Sequence, residues 1–160
     1  MQGSGGFTIM ELVVLIAVIG LALVITLPRL TGFERAALKS QAGKLSTFLR
    51  YANESAATKR LYYKVSFNIE NGSVMVERSP DGKEFSGDMD IRGLKMSGGV
   101  MLRDIVVQGL GKIESGTVSV VFTPLGAAEE FSVHLEAGKD WFTVKFNPYS
   151  GKAEVVEGYA

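Results

Sequence analysis

The sequence predicts an α+β fold in which a long N-terminal helix, transmembrane over its first half, packs on an antiparallel β-sheet domain. Three observations carry this reading. An apolar run extends from Phe7 to Leu27, an apolar stripe recurring every three to four residues continues to about Thr58, and from Tyr62 the period changes to two. At 160 residues the chain has room for one modest domain and an appendage.

The first element begins MQGSGGFTIMELVVLIAVIGLALVITLPRL, and Glu11 is the only charge between Phe7 and Leu27. As a helix this run is about 31 Å long, enough to cross a hydrocarbon core of ~30 Å. It is a poor match to an ordinary cleaved secretory signal. MQGSGG has no Lys or Arg, and the apolar run leads into TLPRL. Arg29, Arg35 and Lys39 all follow the span, against the positive-inside expectation for a cytoplasmic short end; a misassigned start codon would account for this. A carboxylate at bilayer depth costs on the order of 2–3 kcal/mol on insertion scales, an expense that a paired positive charge offsets. At headgroup level, the helix dipole alone would favour Glu11 in the first turn.

Past the span, Leu30, Phe33, Ala37, Gln41, Leu45, Phe48, Ala52 and Ala56 form the stripe, with Arg35, Lys39, Lys44, Arg50 and Lys59 falling mostly between them. Pro28 removes a backbone donor and is expected to kink the helix rather than end it, since the periodicity resumes at once. A helix from Phe7 to Thr58 measures roughly 80 Å, with Gly20 and Gly32 as weak points.

From Tyr62, Tyr63, Val65, Phe67 and Ile69 alternate with polar residues, and Asn71-Gly72 supplies a turn pair. A two-residue loop would set Ile69 opposite Val74 and Phe67 opposite Val76, placing the apolar side chains on one face. Strands are expected near Leu94 and over Met101 to Val107. Four more are expected, at Val118–Phe122, around Phe131–Leu135, Phe142–Phe146 and Ala153–Val156, forming one antiparallel sheet with turn-rich connections.

Composition excludes several functions. The charge is balanced, with 17 Lys+Arg against 17 Asp+Glu, so the whole molecule lacks the basic excess of many nucleic-acid binders. With no cysteine there is no thiol nucleophile, thiolate metal site or disulfide framework, and one histidine cannot build a histidine cluster.

The stretch Gly6-Phe7-Thr8-Ile9-Met10-Glu11-Leu12-Val13-Val14 resembles the class III signal of type IV pilins and type II secretion pseudopilins. In that family a prepilin peptidase cuts after the glycine and the new N-terminal phenylalanine is methylated, so the resemblance implies processing at Gly6 and Phe7. It also implies that the helix sits first in the inner membrane and later among its neighbours in a filament, where Glu11 meets the N-terminal ammonium of an adjacent subunit. LRYANESAATKRLYYKVSF is similar to the helix end and first strand of the GspH/FimT group. VVFTPLGAAEEFSVHLEAGKDWFTVKFNPYSGKAEV is similar to its C-terminal part, with an F-x-P-x-G turn and an S-G turn before the last strand.

The resemblance implies a type IV pilin-like fold. It implies a leader at 1–6, a transmembrane and assembly helix at 7–29, and a periplasmic domain at 30–160 with an amphipathic helix at 30–59 and a β-rich part at 62–158. The implied role is a non-enzymatic minor pseudopilin at the tip of a type II secretion pseudopilus, acting on folded exoproteins and requiring no cofactor. Its implied partners are other pseudopilins, the prepilin peptidase and the inner membrane. A FimT-like minor pilin of a type IV pilus, serving assembly or DNA uptake, is the near alternative; a membrane-anchored periplasmic binding module is the third.

Other candidate sites read as structural. Asp81, Glu84, Asp88 and Asp90 could offer oxygen ligands to calcium, but their spacing is not that of an EF-hand and a solvated acidic turn is expected. His134 falls on the polar side of a strand and is expected at the surface or in a hydrogen bond. Trp141, Phe142 and Phe146 read as core or sheet-face aromatics. Lys59, Arg60 and Lys64 form a small basic cluster of the kind usually solvated, though able to touch DNA. No spacing suggests a nucleophile with its base or a phosphate loop.

Overall fold

The computed structural model describes residues 8–26, 28–88, 90–126 and 129–160. Its two units are Met1–Phe33 and Glu34–Ala160. The first holds helix α1 (Ile9–Thr26) and the beginning of α2 (Pro28–Lys59). Proline is well placed as the first residue of α2, where its missing N–H would have had no helical partner. The kink expected at Pro28 adjoins Leu27, which lies outside the described residues.

In the second unit α2 buries a seam of Leu38, Ala42, Leu45, Leu49, Ala52 and Ala56. Its upstream half departs from the expected stripe. Phe33 is exposed, whereas Gln41 is buried and Ala37 packs against the core as expected, with Leu38 and Ala42, one residue beyond them, buried as well. Both columns belong to one apolar face more than 100° wide, so periodicity alone does not choose between them. Gln41 borders the seam and donates from Nε2 to Ser97 Oγ at 2.6 Å. The helix ends in a Schellman arrangement: Arg60 takes a left-handed φ of 55°, and the Leu61 amide donates to the Ala56 carbonyl at 3.3 Å.

Among the described residues ten strands follow: β1 (Tyr62–Asn68), β2 (Ser73–Ser79), β3 (Ser86–Gly87), β4 (Leu94–Lys95), β5 (Met101–Val107), β6 (Gly111–Ile113), β7 (Thr117–Phe122), β8 (Phe131–Ala137), β9 (Asp140–Asn147) and β10 (Lys152–Glu157). They form two antiparallel sheets where one was expected. The first has the order β3-β2-β1-β7, with β4 also on β2; the second has the order β10-β9-β8-β5-β6. The last four long strands therefore do not share a sheet, because β7 pairs with β1 and only β8, β9 and β10 stay together. Pairing with β1 brings Val118, Val120 and Phe122 opposite Phe67, Val65 and Tyr63, all buried, while the Ser66 and Ser119 hydroxyls bond at 2.8 Å on the outer face.

The hairpin register also differs from expectation. Phe67 lies opposite Val74 and Val65 opposite Val76, so Ile69 to Gly72 form a four-residue loop. Asparagine side chains cause the change: Asn68 Oδ1 accepts the Asn71 amide at 3.0 Å, and Asn71 Oδ1 accepts the Ser73 amide at 2.9 Å. A two-residue shift preserves parity, so the same side chains still face inward.

The sheets join through aromatic side chains. Phe67 and Phe122 from the first meet Phe131 and Phe146 from the second, with centroid separations from 5.1 to 6.5 Å. Replacing Arg60, the only described non-glycine residue with positive φ, tests the helix terminus. Arg60→Gly should stabilise the domain by about 0.5–1 kcal/mol, measured by urea unfolding, because glycine carries no Cβ penalty in that conformation.

Candidate functional site

Helix α1 is apolar on every side, and between Ile9 and Leu23 its large apolar side chains range from 47% exposed at Leu15 to 84% at Ile9. A helix apolar all round is stable only among lipids or other helices. Among the described residues no helix is long and apolar enough to cross a membrane. The 18 residues of α1 span about 27 Å, slightly short of a hydrocarbon core. Phe7 and Leu27, which complete the expected span, lie outside the described residues, as do Gly6 and the rest of the expected leader.

The structure places Glu11 in the first turn, where its backbone amide meets a cap the sequence reading missed. Thr8 is the N-cap: its hydroxyl accepts the Glu11 amide at 3.3 Å, and its carbonyl accepts the amides of Glu11 and Leu12. Thr8-Ile9-Met10-Glu11 thus has the capping-box pattern, legible as Thr-x-x-Glu before an apolar run.

The acidic loop is organised by its own backbone. Asp81 accepts the Ser79 hydroxyl and the Lys83 amide, and those bonds, the amide first, hold its carboxyl below the ordinary range. Asp88 Oδ1 accepts the amides of Asp90 at 2.6 Å and Ile91 at 3.3 Å. Burial pushes the Asp88 carboxyl up, but these amides, the Tyr63 hydroxyl and Arg78 outweigh it, leaving the pKa lowered. Asp90 pairs with Lys59 at 2.8 Å. Lys59 is therefore neutralised locally, Lys64 pairs with Glu77 at 2.5 Å beneath the Phe85 ring, and Arg60 caps α2, so the basic cluster does not form one patch.

His134 is on the outer face of the second sheet, as its strand parity indicated, but it is not at the surface. It is 2% exposed, stacked under the Tyr159 ring at 3.9 Å, with Nδ1 2.6 Å from Asp104 Oδ1 and Nε2 3.2 Å from the Ala160 carbonyl. A bulge brings Asp104 there. Between Leu102 and Asp104 the β5 register slips against β8, so Leu102, Ile105 and Val107 all face the core while Asp104 comes opposite His134. Lys112 lies 3.7 Å from Asp104 and bonds to Glu114, which raises the lysine pKa and lowers that of Glu114. Trp141 packs edge-on to Tyr159, while Phe142 and Phe146 are buried. The Tyr159 hydroxyl donates to Asp104 Oδ1 at 3.3 Å and Thr143 lies opposite His134, so the cluster ties Tyr159 and Ala160 onto the sheet face.

Solved structures align with this fold. The minor pseudopilin EpsH of the type 2 secretion system of Vibrio cholerae aligns with a TM-score of 0.60 at 12% identity, over 78% of this chain and 99% of that one. A second EpsH structure gives 0.61 at 13% identity, covering 78% and 97%. The fold is type IV pilin-like. The type IV minor pilin FimU of Pseudomonas aeruginosa shares it with a TM-score of 0.53 at 17% identity, over 77% of this chain and 90% of that one. No family profile and no curated protein sequence matches the chain.

Two predictions concern this pilin-like domain. His134→Ala leaves the Asp104 carboxylate buried without its closest partner and should cost about 3 kcal/mol in chemical unfolding. The lowered pKa values of Asp81, Asp88 and Glu114 stabilise the fold above the ordinary carboxylate range near 4, and this is lost as pH falls through the lower folded values. Urea midpoints should therefore drop on acidification below about pH 4, and Asp88→Asn should flatten that drop while lowering the midpoint at pH 7.

Proposed function

We propose that this chain is a minor pseudopilin, a non-enzymatic structural subunit at the tip of a type II secretion pseudopilus that supports export of folded proteins across the outer membrane. The observation that carries the reading is an all-apolar helix with one carboxylate in its first turn, attached to a domain that aligns with nearly the whole of EpsH. In this reading a prepilin peptidase cleaves between Gly6 and Phe7, Phe7 is methylated, and α1 holds the protein in the inner membrane with its domain in the periplasm. The partners are other pseudopilins of the tip and shaft.

Assembly supplies what α1 lacks alone. Burying its side chains against neighbouring helices gives close packing in place of lipid contact, and pairing Glu11 with the ammonium of an adjacent subunit fixes axial register as the helix leaves the bilayer. A minor pilin of a type IV pilus is the second reading, favoured by the higher identity to FimU, 17% against 12–13%. The closer superposition on EpsH supports the first.

Glu11→Ala removes the charge and the polar side chain together. Glu11→Gln retains the capping-box pattern and removes only the charge. Intact mass should show loss of MQGSGG and a methylated Phe7 that depend on the host's prepilin peptidase. Glu11→Gln should be processed normally but fail to co-purify with partner pseudopilins; normal co-purification would exclude the charge-pairing role. Retained exoproteins after gene deletion indicate secretion, whereas lost pili indicate the second reading.

A further inference from the structure

β10 is fixed to the domain near its start, where the Ala153 carbonyl accepts the Ser46 hydroxyl of α2 at 2.7 Å. Beyond β10 the chain changes direction. Gly158, at a φ of 94° that favours glycine, keeps its amide on the Trp141 carbonyl at 2.8 Å. Residues 158–160 then cross β9 to reach β8 on the outer face. The Thr143 hydroxyl holds them twice, donating to the Gly158 carbonyl at 2.7 Å and accepting the Ala160 amide at 3.1 Å. Tyr159 lies flat on the His134 ring and covers it.

The partners of the imidazole fix its protons. Asp104 Oδ1 accepts the Tyr159 hydroxyl at 3.3 Å and lies 2.6 Å from His134 Nδ1, and Lys112 Nζ stands 3.7 Å from Asp104 Oδ2. With the tyrosine donating and the lysine charge beside it, Asp104 is the acceptor and Nδ1 carries a proton. Nε2 lies 3.2 Å from the Ala160 carbonyl oxygen, which can only accept. Both nitrogens therefore need an N–H, and a neutral imidazole has one.

The charges around the ring agree. From β5 and β6, Asp104 and Glu114 share Lys112, and Arg103 pairs with Glu136 of β8 at 3.3 Å. β9 and β10 bring the uncharged Thr143 and Val156 alongside, and the next outward pair, Lys145 and Glu154, lie opposite each other. One positive charge on His134 balances the group.

We infer that His134 is a pH-operated clasp: as an imidazolium it holds residues 158–160 on the sheet, and loss of one ring proton releases them. Where the free ring is neutral, the seated segment binds one proton more than the released one, so rising pH favours release. Seating is at full strength below about 6.5, the ordinary value for a free imidazole, and weakens as pH rises above it. Release uncovers His134 and the part of Trp141 against which Tyr159 packs. The clasp stands apart from the filament reading.

The test is an NMR titration of the full chain in detergent micelles from about pH 5 to about pH 9, spanning the histidine range. It follows the His134 ring nitrogens, the NOEs between the Tyr159 and His134 rings, and the protection factor of the Ala160 amide. Both nitrogens should carry hydrogen wherever the ring NOEs are present. Protection at Ala160 should fall roughly tenfold or more in step with loss of one ring proton. His134→Gln, neutral throughout, should flatten that dependence; if this variant unfolds, coincidence of the ring titration with loss of the NOEs in the unsubstituted chain decides instead. A seated Tyr159 over a singly protonated ring overturns the proposal. So does release whose midpoint differs from that of the ring, or a pH dependence unchanged in His134→Gln.

Discussion

The contact between the two sheets is the constraint on which the domain depends. Phe67 and Phe122 project from one sheet, Phe131 and Phe146 from the other, and their edge-on contacts join two layers of different topology into one core. Such pairs contribute beyond simple burial, because ring edges and faces carry complementary partial charge. With these rings in place β7 can leave the strands that follow it and pair with β1. The α2 seam, rich in small alanines, then closes the core on a helix.

Much of this was legible because alternation is a property of single strands. The inward residues of β1, β2, β7, β8 and β9 follow from period two, and half of the α2 seam, Leu45, Ala52 and Ala56, from period three to four. Partner choice was not legible: nothing in Val118 to Phe122 says whether it neighbours β1 or β8. The hairpin loop was misjudged because the strongest local signal, Asn71-Gly72, competes with side-chain bonds from Asn68. Asp104 was invisible for a related reason. Its approach to His134 depends on a bulge, which a strictly alternating reading of β5 cannot contain.

The N-terminal unit raises the opposite problem. Its sequence pattern is plain, and its large apolar side chains between Ile9 and Leu23 stand about half exposed or more. The Glu11 carboxylate stands in the first turn, where the helix dipole favours negative charge, next to the Thr8 cap.

The bond from Ser46 to the Ala153 carbonyl joins residues 107 positions apart, and the Arg35–Glu157 ion pair makes a second link between α2 and β10. Local helix formation can begin as soon as α2 exists, but its seam has no complete surface to cover until β10 has arrived. The domain therefore has high contact order, and loop-closure entropy must be overcome before its distant pairings contribute. Folding of such a chain waits for its final strand. A truncated or stalled product would display the alanine-rich seam and the aromatic rings together, making it a substrate for chaperones and proteases.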